Sequence, residues 1–373
     1  MKAVIGIVIA IIVIWVGYTL LAPGGEEGPI RIGAILPLTG DAAAYGEPGR
    51  NMLQLAADEI NAAGGINGRN LEFIFEDGKC VGKDAANAIQ KLANVDKVEA
   101  IIGGFCSGES LSAVPIATQA KVLLFSPGSS NPGLTNSSPY FFRNYPSDAA
   151  QGTVLANVAD SKGWGKVAVV QEQTDYAAGL YKAFNARFTE LGNTDTKEEF
   201  ASDTSDFRSI ITKVRAGNPD ALFVIVQTPA VASRIFKQMT ELNWKPNLLV
   251  SDIIPGDPNL VAENKALLEG AFAAEFGTNP ENPKFKAMVE AYRAKYGEEP
   301  PFQAYAQTEY DSVYILADGI RAVGYDGEKL AAWSRTIENW QGAAGSVTIG
   351  EDGDPTTGHV PKIIRNGVVE FYQ

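Results

Sequence analysis

An α/β fold of two Rossmann-like lobes is predicted by three observations. Short apolar runs alternate with helical-period segments through almost the whole chain, the pattern of a parallel sheet covered by helices. The part after an apolar N-terminal run, roughly 350 residues, exceeds one core and suits two. A stretch dense in Pro, Gly and Ser, from Ser126 to Asp148, interrupts the alternation and reads as a boundary between lobes.

The elements follow in order. Arg31 to Leu36 is a short apolar strand ended by Pro37-Leu38-Thr39-Gly40, and Ala42 to Gly49 reads as a small polar loop holding Tyr45. Asn51 to Ala62 places Leu53, Ala56, Ala57 and Ile60 on one helical face, and Gly64-Gly65 stops it before the strand from Leu71 to Phe75. A helix over Ala85–Ala93, a strand over Glu99–Gly103, a helix over Gly108–Ala120 interrupted by Pro115, and a strand over Val122–Ser126 complete the first half. After the boundary come helix Ala149–Lys162, strand Lys166–Gln171, helices Ala178–Leu191 and Asp206–Ala216, strand Ala221–Val226, helix Val231–Leu242 and strand Asn247–Val250. In such units ligand sites lie at the carboxyl ends of the strands.

The run from Ala3 to Ala22 carries no charge, with Lys2 before it and Glu26 and Glu27 after. A bilayer core needs about 20 apolar residues as helix, and a signal-peptide core about 7–15. Leu20 and Pro23 make a poor cleavage site around Ala22, so we expect an uncleaved transmembrane helix rather than a removed leader. The positive-inside rule places everything beyond Pro23 outside the cytoplasm, with Trp15 and Tyr18 near the outer interface. The expected anchor is 1–22, the linker 23–28, and the localisation single-pass on the cell membrane. The chain's formal charge of −13 argues against nucleic acid or anionic lipid as a partner.

Cys80 and Cys106 each follow a strand, and an even pair in an exported chain reads as a disulfide; two buried free thiols are the alternative. Gly103 to Ser110, GGFCSGES, ends a strand and opens a helix. Helix-start N–H groups and a Ser hydroxyl make a carboxylate site, but Ser107 or Ser110 serves equally as a plain helix cap.

The spelling PLTG-x4-YG, followed by DEINAAGGINGR and a strand ending in Glu76-Asp77, resembles the opening of the branched-chain amino acid binding proteins, the type I periplasmic receptors of ABC importers. The match is dense over about fifty residues. The resemblance implies three crossings between lobes, near Tyr145–Ser147, Glu275–Thr278 and Thr348–Asp352; composition alone supports only the first. It returns helices Pro283–Tyr296 and Tyr305–Val323 to the N-terminal lobe, and Val360–Tyr372 finishes the second. The lobes are then 29–147 with 277–348, and 148–276 with 349–373. It also implies that Cys80 and Cys106 are bridged.

The same resemblance implies a ligand set. Ser107 matches the family's carboxylate-binding serine. Gly128 and Ser130 stand where the family has an alanine carbonyl and a threonine that hold the ligand's ammonium and carboxylate, although SPGSSNP is on its own only a turn-rich loop. Tyr45 lies on the first ligand-edge loop, and Tyr176 matches an aromatic that closes over the ligand. Asp252 stands where the family usually has a Glu paired with the ammonium, one methylene longer. Gln227 falls near an aromatic of the leucine-binding members, and Tyr305, with Gln307 nearby, matches an aromatic of the side-chain pocket. The α-amino acid grip is retained and the pocket is more polar than one built for leucine.

Catalysis is disfavoured. His359 is the sole histidine, which leaves no pair for a metal site, and Gly104 to Gly108 has Cys where a nucleophile elbow has Ser. Asp352, Asp354 and their glycines form a turn rather than a calcium loop. No Walker loop or dinucleotide fingerprint occurs, so no cofactor or metal is expected. The reading is a membrane-tethered, monomeric solute receptor that is not an enzyme and delivers an amino acid to an ABC permease. Its rivals are a sensory module for amides, urea or amino acids, and an anchored hydrolase.

Overall fold

The computed structural model describes residues 28–372. The expected anchor over 1–22 and nearly all of the linker lie outside them, and among the described residues no helix is long and apolar enough to cross a membrane.

Strand β1, Ile30–Leu36, is buried at every position but Arg31 because it runs between two other strands with helices on both faces. Helix α1 (Ala43–Ala62), β2 (Leu71–Asp77), α2 (Gly82–Asn94), β3 (Ala100–Gly103), α3 (Ser107–Ala120), β4 (Leu123–Ser126) and β5 (Phe141–Arg143) follow. These five strands form one parallel sheet in the order β2-β1-β3-β4-β5.

The second sheet takes up the chain through α4 (Asp148–Ser161), β6 (Lys166–Glu172), α5 (Asp175–Glu190), β7 (Thr194–Phe200), α6 (Arg208–Ala216), β8 (Ala221–Ile225), α7 (Pro229–Glu241), β9 (Asn247–Val250), α8 (Pro258–Glu263), α9 (Lys265–Leu268) and β10 (Phe272–Glu275). Helices α10 (Pro283–Tyr296), α11 (Gln303–Val323) and α12 (Gly327–Ser334) then return to the first sheet, with α11 packed on α1. The hairpin β11 (Trp340–Gly342) and β12 (Gly345–Val347) leads back to β13 (Val360–Arg365) and β14 (Val368–Phe371). The second sheet is ordered β14-β13-β10-β9-β8-β6-β7, with β13 and β14 antiparallel.

Among the departures from the sequence reading, three have a clear physical reason. The stretch from Ala43 to Gly49 is not a loop but the start of α1, so Tyr45 is held on a helix. Its glycines reflect close packing: a Cβ on Gly46 would meet Pro37 O at 2.1 Å, and one on Gly49 would meet Glu309 Oε1 at 2.5 Å. Helix α3 runs through Pro115 without interruption, held by buried Ala113, Val114 and Ala117. Strand β7, TDTKEEF, has no counterpart in the sequence reading. It is an edge strand whose exposed charges keep it from pairing further, so it lacks an apolar pattern.

The three connections between sheets converge. Tyr145 lies in the first, Phe276 in the second and His359 in the third. Tyr145 packs edge-on against both, with ring centroids 5.7 Å from Phe276 and 5.9 Å from His359. Arg143, fully buried at the end of β5, grips Asp354 of the third connection through two bonds of 2.7 Å. The same guanidinium donates to the carbonyls of Ser129 and Asn131 at 3.1 Å each. The loop after β4 is therefore fixed by a charge-assisted fork.

Candidate functional site: a cleft walled by tyrosines

The carboxyl ends of the two sheets face each other across a cleft. On the first side, Asp77 at the end of β2 accepts the N–H of Leu38 at 2.9 Å, which fixes the turn after β1 and explains the paired motifs PLTG and ED. The disulfide Cys80–Cys106, with Cα atoms 5.2 Å apart, joins the loop after β2 to the start of α3. Glu109 braces both ends of it, accepting the N–H groups of Cys80 and Cys106 at 2.9 Å each. Burial pushes the Glu109 carboxyl up to about 7, against those hydrogen bonds.

Tyr45, Ser107, Gly128, Ser130, Tyr176, Gln227 and Tyr305 line one small cavity of about 20 Å³ between the sheets. Asp252, following β9, stands behind its wall and is 2 % exposed. Its Oδ1 accepts from the Tyr176 hydroxyl at 2.5 Å, and its Oδ2 from Tyr145 at 2.7 Å and Tyr305 at 3.3 Å. All eight residues expected from the sequence are thus gathered at one place. Burial, then the Asp252 charge, raises all three tyrosine hydroxyls well above their ordinary value, so they remain donors.

The hydroxyls carry direction. Ser130 Oγ donates to Asp148 Oδ2 at 2.8 Å, so it turns a lone pair to any other partner. Ser107 Oγ accepts the Asn131 N–H at 3.2 Å, which leaves its own proton available at the N-terminus of α3. Burial and the nearby Asp252 charge raise the Asp148 carboxyl above the usual range. The site therefore holds acceptors at Ser130 and Asp252 and donors at the helix start.

Four site residues escaped the sequence reading. Phe105 lines the cavity and stacks on Tyr45 at 5.4 Å. A Cβ on Gly128 would lie 2.7 Å from its Cδ2, so glycine stands there because the ring fills the space. Tyr145 stacks on Tyr305 at 4.7 Å. Ile253 lines the cavity, and Phe302 packs on Tyr45 at 4.7 Å from a left-handed conformation, φ 50°, ahead of α11. Phe105 sat inside a motif already singled out; the others carry no periodic signal. Gln307 is buried, with its amide nitrogen 3.2 Å from Gly277 O in the second connection.

Two sheets that share a polar, buried cleft at their carboxyl ends define a two-lobed binding protein. The family model described as periplasmic binding protein matches residues 29–359, and the chain belongs to that family. Relatives include an amino acid binding protein of Pseudomonas aeruginosa, 31% identical over 82% of each chain. Among solved structures, a leucine-binding protein LivK of Thermotoga maritima is 32% identical with a TM-score of 0.84, over 92% of this chain and 98% of that one. The branched-chain amino acid binding protein LivJ of Streptococcus pneumoniae, in complex with isoleucine, is 29% identical with a TM-score of 0.81, over the same shares.

Proposed function

We propose that this protein is an extracytoplasmic solute receptor of an ABC importer that captures an α-amino acid between two closing lobes. The observation that carries the reading is the polarity of the cleft. The Asp252 carboxylate and the Ser130 lone pair suit an ammonium, and the free Ser107 proton at the start of α3 suits a carboxylate. The names of the relatives support the same class of ligand.

The lobes are taken as 29–147 with 277–348 and 148–276 with 349–373, and residues 1–22 as the tether of a monomer to the membrane. Bonds that join the two sides are made in the closed form: Tyr45 Oη donates to Gln227 O at 3.2 Å, and Asn131 Nδ2 to Asp175 O at 2.6 Å. Closure removes water and strengthens charge-assisted bonds to the ligand. A ligand selects this form only by binding it better than the open one, and the permease then reads the closed shape. Binding without turnover is the activity in this reading, in keeping with relatives named as binding proteins.

Calorimetry of the purified full-length protein against the α-amino acids, their des-amino acids and their amides tests this. An α-amino acid should bind best. A des-amino acid or an amide bound as tightly would sink the reading.

A further inference from the structure

The cleft has a second, outer chamber of about 770 Å³. Gln227 separates it from the tyrosine-walled cavity. The Gln227 carbonyl accepts from Tyr45 on the inner side, and its N–H donates to Glu172 Oε2 at 2.7 Å on the outer. A side chain leaving the inner pocket past Gln227 enters this space.

The walls of the chamber are acidic. Asp41, Glu172, Asp175 and Glu199 line it, against Lys79 alone. Lys79 is turned to Asp84 at 3.7 Å, and Glu199 is held by Lys197 at 2.6 Å. Arg234, which donates to Ser202 O at 3.3 Å, faces Glu172. Asp41 and Asp175 have no basic partner within ion-pair distance among the described residues. Independently of those charges, Gln171 lines the same chamber, is 2 % exposed, and leaves its buried side-chain oxygen without a hydrogen-bond partner. Buried acceptors in folded proteins are nearly always satisfied, so this one marks a place for a donor.

We propose that the outer chamber is a subsite for the cationic end of a ligand side chain, so that the receptor takes a basic α-amino acid, one ending in an ammonium or a guanidinium. The inference rests on the α-amino acid head being held in the inner pocket. A donor-rich cation satisfies the Gln171 oxygen and the two unpaired aspartates together. A neutral chain of the same length leaves all three acceptors dry and unpaired in the closed cleft, which is the stronger source of discrimination.

Calorimetry of the full-length protein with L-lysine, L-arginine and L-norleucine decides it, because norleucine has the same head and nearly the same length as lysine without the charge. Lysine or arginine should bind at least tenfold more tightly than norleucine. The double variant Asp41→Asn with Asp175→Asn should weaken that basic ligand at least fivefold more than it weakens norleucine. Norleucine binding as tightly as both basic amino acids would overturn the subsite and leave the amino acid reading standing. Equal weakening of both ligands in the double variant would also overturn it, by showing a merely structural role. Binding of none of the three, with a des-amino acid or amide bound instead, would remove both readings together.

Discussion

The Tyr145 hydroxyl lies 2.7 Å from Asp252 Oδ2, although the two residues are 107 positions apart and hang from different sheets. Tyr145 belongs to the first connection and touches one ring from each of the other two, so the acid in the cleft is bonded directly to the hinge. In the proposed closure, movement of the lobes about these connections would change the donors around Asp252.

Asp252→Asn keeps the shape of the side chain and removes its charge. Leaving an ammonium unpaired in the closed cleft costs about 2–5 kcal/mol. The affinity for the best α-amino acid should fall roughly 30-fold or more in calorimetry. The des-amino analogue should respond little to the substitution. Unchanged affinity for the amino acid would remove Asp252 from the ammonium site.

Gly128→Ala should destabilise the protein by about 1–3 kcal/mol, as overpacking does, since the new methyl would lie 2.7 Å from Phe105 Cδ2 and 3.0 Å from Phe105 O. In a double-mutant cycle by urea unfolding, Phe105→Ala should recover part of that loss. Additive effects would show that the ring is not what excludes the methyl.

The Cys80–Cys106 bridge closes a loop with a separation of 26 residues. Replacing both with Ala should lower stability by about 3 kcal/mol in denaturant unfolding. Affinity should change less than tenfold, because Glu109 still holds both loop ends through their N–H groups. A stability unchanged within error would contradict the bridge's role.

His359 supplies a pH dependence. Burial lowers it from 6.5 to about 4, and neither ring nitrogen has a hydrogen-bond partner among the described residues. Between those values the unfolded chain holds the proton and the folded one does not, so this contribution is present above 6.5 and is lost as pH falls to 4. The loss is on the order of 3 kcal/mol at 1.36 kcal/mol per unit. The carboxyls of Glu109, Glu275 and Asp311, raised to about 7 by burial, act in the opposite sense, removing stability as pH rises from the ordinary acid range to 7. His359→Phe should therefore unfold in urea with a smaller loss between pH 6.5 and pH 4 than the parent. Parallel pH profiles for the two proteins would rule the histidine out.

Much of the site could be read from residue order because it sits where strands end. Ser107, Gly128 and Ser130 follow β3 and β4, and Tyr176 and Asp252 follow β6 and β9. The crossover rule sends all these ends to one edge of each sheet. The early start of α1 was hidden because Gly46, Pro48 and Gly49 weaken helix propensity, and tertiary contacts with Pro37 and Glu309 override it. Strand β7 was hidden because pairing with β6, not burial, makes it a strand.

The sequence by itself determined the alternation of strands and helices and the family motifs at the strand ends, because these depend on local pattern and on residue type. Only the tertiary structure decided which side chains meet across the cleft. Tyr145, Phe105 and Phe302 reach the site through packing, and Arg143 finds Asp354 across 211 positions. No periodicity records such contacts, since each is set by where two separately folded layers come to rest against one another. The polarity of Ser130 is of the same kind. A hydroxyl can donate or accept, and it is the carboxyl oxygen of Asp148, 2.8 Å away in the folded chain, that accepts the hydrogen bond from Ser130.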